Sequence, residues 1–319
     1  FTSGATESIN LAIRGVCDYY REKGQHIITQ ATEHKAVLDS CAAMEKQGWD
    51  VTYLPVDSEG FVNPEGVMAA IRPDTVMVAI MHSNNEIGTI QPVAEIGSLC
   101  KERGVFFHTD AVQWFGKLPL SSIDDFNADL VSLCPHKFHG PKGVGLLYCK
   151  SPLNPSPIIL GGAHENGRRG GTENLPAIVG LAEAVSLFVP SPVFPSSLSS
   201  LSDRLISAID ALEGAVFLGD RLPSGRLFNT VSFSLVASDS ISLLGCLDLE
   251  GICASSGSAC ASGSVSPSHV VRALGSGDSL ANSLIRFSLG RDSCASEIDR
   301  VLSLLPSILS RFRPSNNCG

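Results

Sequence analysis

The residues of this chain best suited to chemistry lie in short polar stretches that follow apolar runs. Ser3-Gly4-Ala5-Thr6-Glu7-Ser8 joins a small-residue turn to a helix start. Backbone N–H groups and the helix dipole suit a phosphate there, and Thr6 adds a hydroxyl. Thr32-Glu33-His34 supplies an imidazole able to stack on a flat ring and to carry protons near neutral pH. His82-Ser83-Asn84-Asn85-Glu86-Ile87-Gly88 offers amides that can bond a phenolic oxygen or a carboxylate. Asp110, with Gln113 in the next turn, places a carboxylate where it could hold a protonated pyridine nitrogen. Cys134-Pro135-His136-Lys137 puts a lysine just after an apolar run, the placement a Schiff-base lysine needs at the floor of a cleft.

Each feature also has a plainer reading. Ser3 or Thr6 could cap a helix, and so could Asp110. The Asn-Gly stretch could be a turn, His34 could be structural, and Lys137 a solvated loop lysine. Together, however, a phosphate cup, a ring carboxylate, a stacking histidine and an imine lysine describe a pyridoxal-phosphate site.

The elements that must position these residues alternate. Strands are expected at His26–Gln30, Val51–Val56, Thr75–His82, Val105–Asp110, Leu130–Cys134 and Val144–Cys149. Helices are expected at Lys35–Gln47, Asn63–Ile71 and Val93–Arg103, the last ended by Gly104. Continuous apolar strands alternating with helices predict a mostly parallel sheet covered on both faces, an α/β first half. In such sheets ligands bind beyond the carboxyl ends of the strands, where the chemistry-bearing residues fall. A helix over Leu175–Val189 leads into a Pro/Ser-rich break, the candidate boundary between domains 1–189 and 190–319. Beyond it, helices at Leu198–Leu212, Ser240–Leu249 and Glu297–Phe312, with strands at Ala215–Leu218 and Thr230–Phe233, predict a smaller α+β domain.

Composition narrows the function classes. Of 319 residues, 44% are hydrophobic and 17% charged, a globular profile. The net charge of −9 argues against sequence-independent nucleic-acid binding, which needs a basic face. No apolar run reaches the ~18 residues that span a bilayer, so no membrane partner is expected. The ten cysteines form no C-x-x-C pair. A metal site is therefore not expected, and a reducing compartment, cytoplasm or an organelle matrix, is. The opening FTSGATESIN reads as the interior of a domain, so further residues are expected upstream.

The stretches FTSGATESINLAI, TEHKAVLD, MHSNNEIGTIQP, HTDAVQ, PHKFHGPKGVG, RRGGTEN, SSGSACASGSVSPSHVVRALG and IRFSLGR, in this order, resemble the NifS/IscS-type cysteine desulfurases. These belong to the class V aminotransferase group of fold-type I pyridoxal-phosphate enzymes. The resemblance runs from Phe1 to about Phe312. It implies conversion of L-cysteine to L-alanine, with the sulfur taken by Cys260 as a persulfide for iron–sulfur cluster assembly or thio-modification. A selenocysteine lyase, or a scaffold subunit with a vestigial site, is the alternative.

By the same resemblance, Lys137 would join the cofactor's aldehyde, Asp110 its pyridine nitrogen and Gln113 its phenolic oxygen. His34 would stack on the ring and move protons. Ala5, Thr6 and His136 would hold the phosphate, with Thr172 reaching over from the partner of a homodimer. Asn85 and Arg286 would grip the substrate carboxylate, and a sulfur-acceptor or iron–sulfur scaffold protein would collect the product. Cys260 sits in a Gly/Ser/Ala-rich stretch suited to a mobile carrier, and a thiolate is the right soft nucleophile for a sulfur atom. One departure bears on the site: Cys134 stands where the family usually has a serine three residues before the lysine, so a hydroxyl contact to the phosphate is expected to be lost.

Overall fold

The computed structural model describes residues 1–119, 122–188, 197–236, 238–257 and 267–312. The chain divides into two compact units. The first comprises Phe1–Pro55, Phe61–Asn84 and Ile90–Val193; the second comprises Val56–Gly60, Asn85–Thr89 and Phe194–Gly319. The expected boundary at 189/190 lies outside the described residues.

The first unit is built on a six-stranded sheet. Its strands are β1 (His26–Gln30), β2 (Asp50–Leu54), β3 (Thr75–Ala79), β4 (Phe106–Asp110), β5 (Leu130–Leu133) and β6 (Leu146–Cys149), in the order β2-β1-β3-β4-β5-β6. All neighbours are parallel except β5 and β6, which pair antiparallel. Every residue of β1 and of β3 is buried, as continuous apolar runs require of strands covered on both faces. Ile9, Ile13, Val16, Ile27, Val37, Met44, Met77 and Leu130 form the core against one face, each such side chain contributing about 1.5–3 kcal/mol. The helix Val93–Arg103 ends on Gly104 in the left-handed region, as expected, since only glycine enters that conformation without strain.

Several strands of this sheet are shorter than their apolar runs. The run ending at His82 is strand only to Ala79, although the Ile80 and His82 N–H groups still donate to the His108 and Asp110 carbonyls of β4 at 3.1 and 2.9 Å. Phe1 and Thr2, which lead into the first helix, form only a bridge: Thr2 and Gly145 exchange both backbone hydrogen bonds, at 3.0 and 2.8 Å.

In the second unit an antiparallel sheet of β7 (Ala215–Leu218), β8 (Thr230–Leu235) and β9 (Ile285–Ser288), in the order β7-β8-β9, packs with helices Ser197–Asp210 and Ala295–Ser310. β9 is absent from the sequence-based expectation. It is four residues long and interrupted by Arg286, although Ile285 and Phe287 alternate inward. Two segments from the first half of the sequence also belong to this unit: Ile87 is buried among Leu218, Val270, Val271 and Leu274, and Val56 packs against the same cluster.

Candidate active site

Because β1, β3, β4 and β5 are neighbouring parallel strands, their carboxyl ends share one edge of the sheet. Asp110 is the last residue of β4, His34 follows β1 after a short turn, and Lys137 closes a 3₁₀ turn, Pro135–Lys137, after β5. The three meet electrostatically. Burial raises the Asp110 carboxyl above the usual range, against the Val112 N–H bond and the pull of His34 and Lys137. Asp110 Oδ1 accepts the Val112 N–H at 3.0 Å, so the carboxylate caps a turn rather than a helix. His34 is the N-cap of the helix Lys35–Glu45, its Nδ1 accepting the Ala36 N–H at 3.1 Å. That bond assigns the ring's exchangeable proton to Nε2. Lys137 is exposed rather than sunk in a cleft floor, and so is His136.

The Ser3–Thr6 turn is held from two sides. Gly145 lies so close that a Cβ on it would stand 2.5 Å from the Gly4 carbonyl carbon. Glu7 accepts the Ser3 N–H at 3.0 Å and the Ser3 hydroxyl at 2.5 Å, and pairs with Arg169 at 2.9 Å. Neither Ser3 nor Thr6 caps the helix; Gly4 occupies the cap without a side-chain bond, and Thr6 is exposed. The Ala5 N–H points at Cys134 Sγ, which also lies 2.9 Å from His136 Nδ1. Burial nevertheless raises the Cys134 thiol. Two of the groups expected to hold a phosphate, the Ala5 amide and His136, thus converge on the Cys134 sulfur, where the resemblance led to the expectation of a serine. Thr172 is exposed and shares a cavity of about 170 Å³ with Thr2, Ser3 and Arg169.

Gln113 has a partner that the sequence did not suggest. The buried Lys117 donates its ammonium to Gln113 Oε1. Lysine only donates, so the amide must turn its Nε2 the other way, as a donor. The signal was available: Lys117 is four residues beyond Gln113, in an otherwise apolar Trp-Phe-Gly turn. Arg169, similarly, lies in the RRGGTEN stretch but has no sequence-local clue to its partner Glu7.

The second unit brings Asn85 and Arg286 together. Arg286 Nη1 donates to the Asn85 carbonyl at 2.6 Å and to the Gly257 carbonyl at 3.3 Å, while Nε reaches Ser288 Oγ at 3.2 Å. Ser255 and Arg286 exchange backbone hydrogen bonds at 3.0 and 2.7 Å. On the far side of the 258–266 stretch, Ser268 Oγ donates to Glu86 at 2.6 Å. Cys260 lies outside the described residues.

A buried carboxylate, a lysine at the same edge of the sheet, an amide donor and exposed groups at a helix start form a donor set that fits pyridoxal phosphate. The aminotransferase class-V family model matches residues 1–301, and the chain belongs to that family. Within it, the chain is 46% identical over 315 residues to a protein named cysteine desulfurase IscS from Clostridium botulinum, covering 98% of this chain and 79% of that relative. A protein of the same name from Methanosarcina thermophila is also 46% identical, with 98% and 77% covered. A solved NifS-like protein superposes with a TM-score of 0.87 at 36% identity, over 97% of this chain and 82% of the other.

Proposed function

We propose that this protein is a pyridoxal-phosphate-dependent cysteine desulfurase that converts L-cysteine to L-alanine and takes the sulfur onto Cys260. The observation that carries the site assignment is the meeting of Asp110, His34 and Lys137 at one edge of the parallel sheet. When bound, the cofactor supplies an electron sink for the carbons of the amino acid.

Each residue then has a task. Lys137 holds the cofactor's aldehyde. Asp110, on which His34 and Lys137 pull toward the ionised form against its burial, pairs with the ring nitrogen. Gln113, turned by Lys117, donates Nε2–H to the phenolic oxygen. Ala5, Thr6 and His136 hold the phosphate, and Thr172 does so from the partner subunit of a homodimer. His34 stacks on the ring and exchanges a proton at Nε2. Asn85 and Arg286 hold the substrate carboxylate, a task suited to a guanidinium with a fixed orientation. The Cys260 thiolate attacks the substrate's sulfur. The S–S bond forms as the Cβ–S bond breaks, and the carbon left behind takes up a proton, so no outside oxidant is needed.

The sulfur then passes to an acceptor, an iron–sulfur scaffold protein or a thio-modification partner, in a reducing compartment such as cytoplasm or an organelle matrix. No helix among the described residues is long and apolar enough to cross a membrane.

The test is incubation of the purified, cofactor-supplemented protein with L-cysteine or L-selenocysteine, measuring alanine. Wild type should form alanine from cysteine. Cys260→Ser should keep the visible absorption of the bound cofactor but release no sulfide in the presence of a reductant, and Lys137→Ala should lose both. Alanine from selenocysteine alone would replace this reading with a selenocysteine lyase, and a protein that stays colourless with added cofactor would favour a scaffold.

A further inference from the structure

Behind His34 the sheet edge carries a carboxyl group that none of these tasks uses. Glu33 is 1% exposed. Its Oε1 accepts the side-chain N–H of Gln30 at 3.0 Å and the backbone N–H of Met81 at 2.7 Å. Gln30 ends β1, and Met81 belongs to the segment leaving β3. The carboxyl group therefore ties the turn after one strand to the exit of its neighbour. The turn is secured further by Thr32, whose hydroxyl donates to Gln30 Oε1 at 2.7 Å and whose carbonyl accepts Asn84 Nδ2 at 2.8 Å. His34 follows immediately, so its ring can be no better placed than this turn.

We propose that Glu33 is a positioning residue that works as a neutral acid, locking the turn that carries His34 onto the exit of β3. The two groups that donate to its Oε1, from Gln30 and Met81, are N–H groups without charge. The titratable groups around it are Asp110 at the end of β4, Cys41 on the helix Lys35–Glu45 and His34 on its own turn, with Lys137 acting on Asp110. Two neighbouring carboxyls that are both buried do not both ionise. The proton belongs on Glu33, because His34 and Lys137 pull on Asp110 toward its ionised form. Burial, with a smaller push from Asp110, raises the Glu33 carboxyl to about 8, against the opposing pull of the Met81 and Gln30 bonds. A neutral Glu33 leaves Asp110 as the sole charged carboxylate for the ring nitrogen.

The sign follows from linkage. The folded value lies above the ordinary 4.5, so the stability that Glu33 contributes is fully present below about 4.5 and is lost as pH rises toward 8. Glutamine reproduces the donor-and-acceptor pattern of a protonated acid without titrating. Aspartate keeps the charge behaviour but shortens the reach by a methylene.

The experiment melts the ligand-free wild type, Glu33→Gln and Glu33→Asp at pH 5 and pH 8, and separately titrates each with pyridoxal phosphate by visible absorption. The melting temperature of Glu33→Gln relative to wild type should be higher at pH 8 than at pH 5. Its cofactor affinity should stay within about threefold, while Glu33→Asp binds at least about tenfold more weakly, the loss of one hydrogen bond to a buried group. A pH-independent difference between Glu33→Gln and wild type, or weaker binding by Glu33→Gln than by Glu33→Asp, would overturn the proposal. The part concerning Asp110 rests on the cofactor reading above. The melting arm does not, so a protein that binds no cofactor would defeat that reading while leaving the neutral acid testable.

Discussion

Replacing Gly145 by alanine tests whether the sheet exit before β6 shapes the Ser3–Thr6 turn. The added Cβ would stand 2.5, 2.7 and 2.8 Å from the carbonyl carbon, Cα and carbonyl oxygen of Gly4. All three are backbone atoms, so no side chain can swing away. Relaxing the shortest contact to an ordinary 3.4 Å would require the two segments to part by about 0.9 Å, which strains the paired Thr2–Gly145 hydrogen bonds. Overpacking of this kind costs about 1–3 kcal/mol. At roughly 2–4 °C per kcal/mol for a unit of this size, the ligand-free protein should melt about 2–12 °C lower. The displacement also moves the Ala5 amide. A hydrogen bond to a charged group is worth about 1.5–3 kcal/mol, so affinity for pyridoxal phosphate should fall about 10- to 100-fold. The control is Gly4→Ala, which meets nothing within 4 Å and should leave the melting temperature unchanged. Scanning calorimetry of the ligand-free protein and equilibrium dialysis with the cofactor read the two effects. If Gly145→Ala matches wild type in both, or if Gly4→Ala melts as low, the close approach does not shape the turn.

Cys134→Ser should tighten cofactor binding by about fivefold, the worth of roughly 1 kcal/mol for a better hydroxyl donor beside the Ala5 amide and His136; weaker binding in dialysis would contradict the arrangement around Sγ. Arg286→Lys should raise KM for cysteine by about 10- to 100-fold with cofactor affinity unchanged, because an ammonium cannot hold a carboxylate, the Asn85 carbonyl and the Gly257 carbonyl in one fixed geometry. Steady-state kinetics would show otherwise if kcat fell at constant KM.

Much of this was legible in the chain itself. Continuous apolar runs at His26, Thr75, Val105 and Leu130 called for buried parallel strands, and such strands present their next residues at one edge. The sequence therefore assigns Asp110, His34 and Lys137 to a common place, since strand direction and alternation are local properties. The ordered stretches around them named the family. Strand ends were less legible, because the polar residues that stop a ladder are also those that continue a site. β9 was not legible at all, since its inward alternation is too short to stand out around Arg286.

What only the tertiary structure decided is which distant groups share a partner. Arg169 finds Glu7, Arg286 finds the Asn85 carbonyl, and Lys117 turns Gln113 by occupying one side of its amide. The convergence of Ala5 and His136 on Cys134, and the protonation of Glu33, depend on burial and on neighbours brought from other strands. Sequence determines which groups exist and roughly where each local element begins. Distance and desolvation, which set hydrogen bonds and charge states, arise only when separate segments pack.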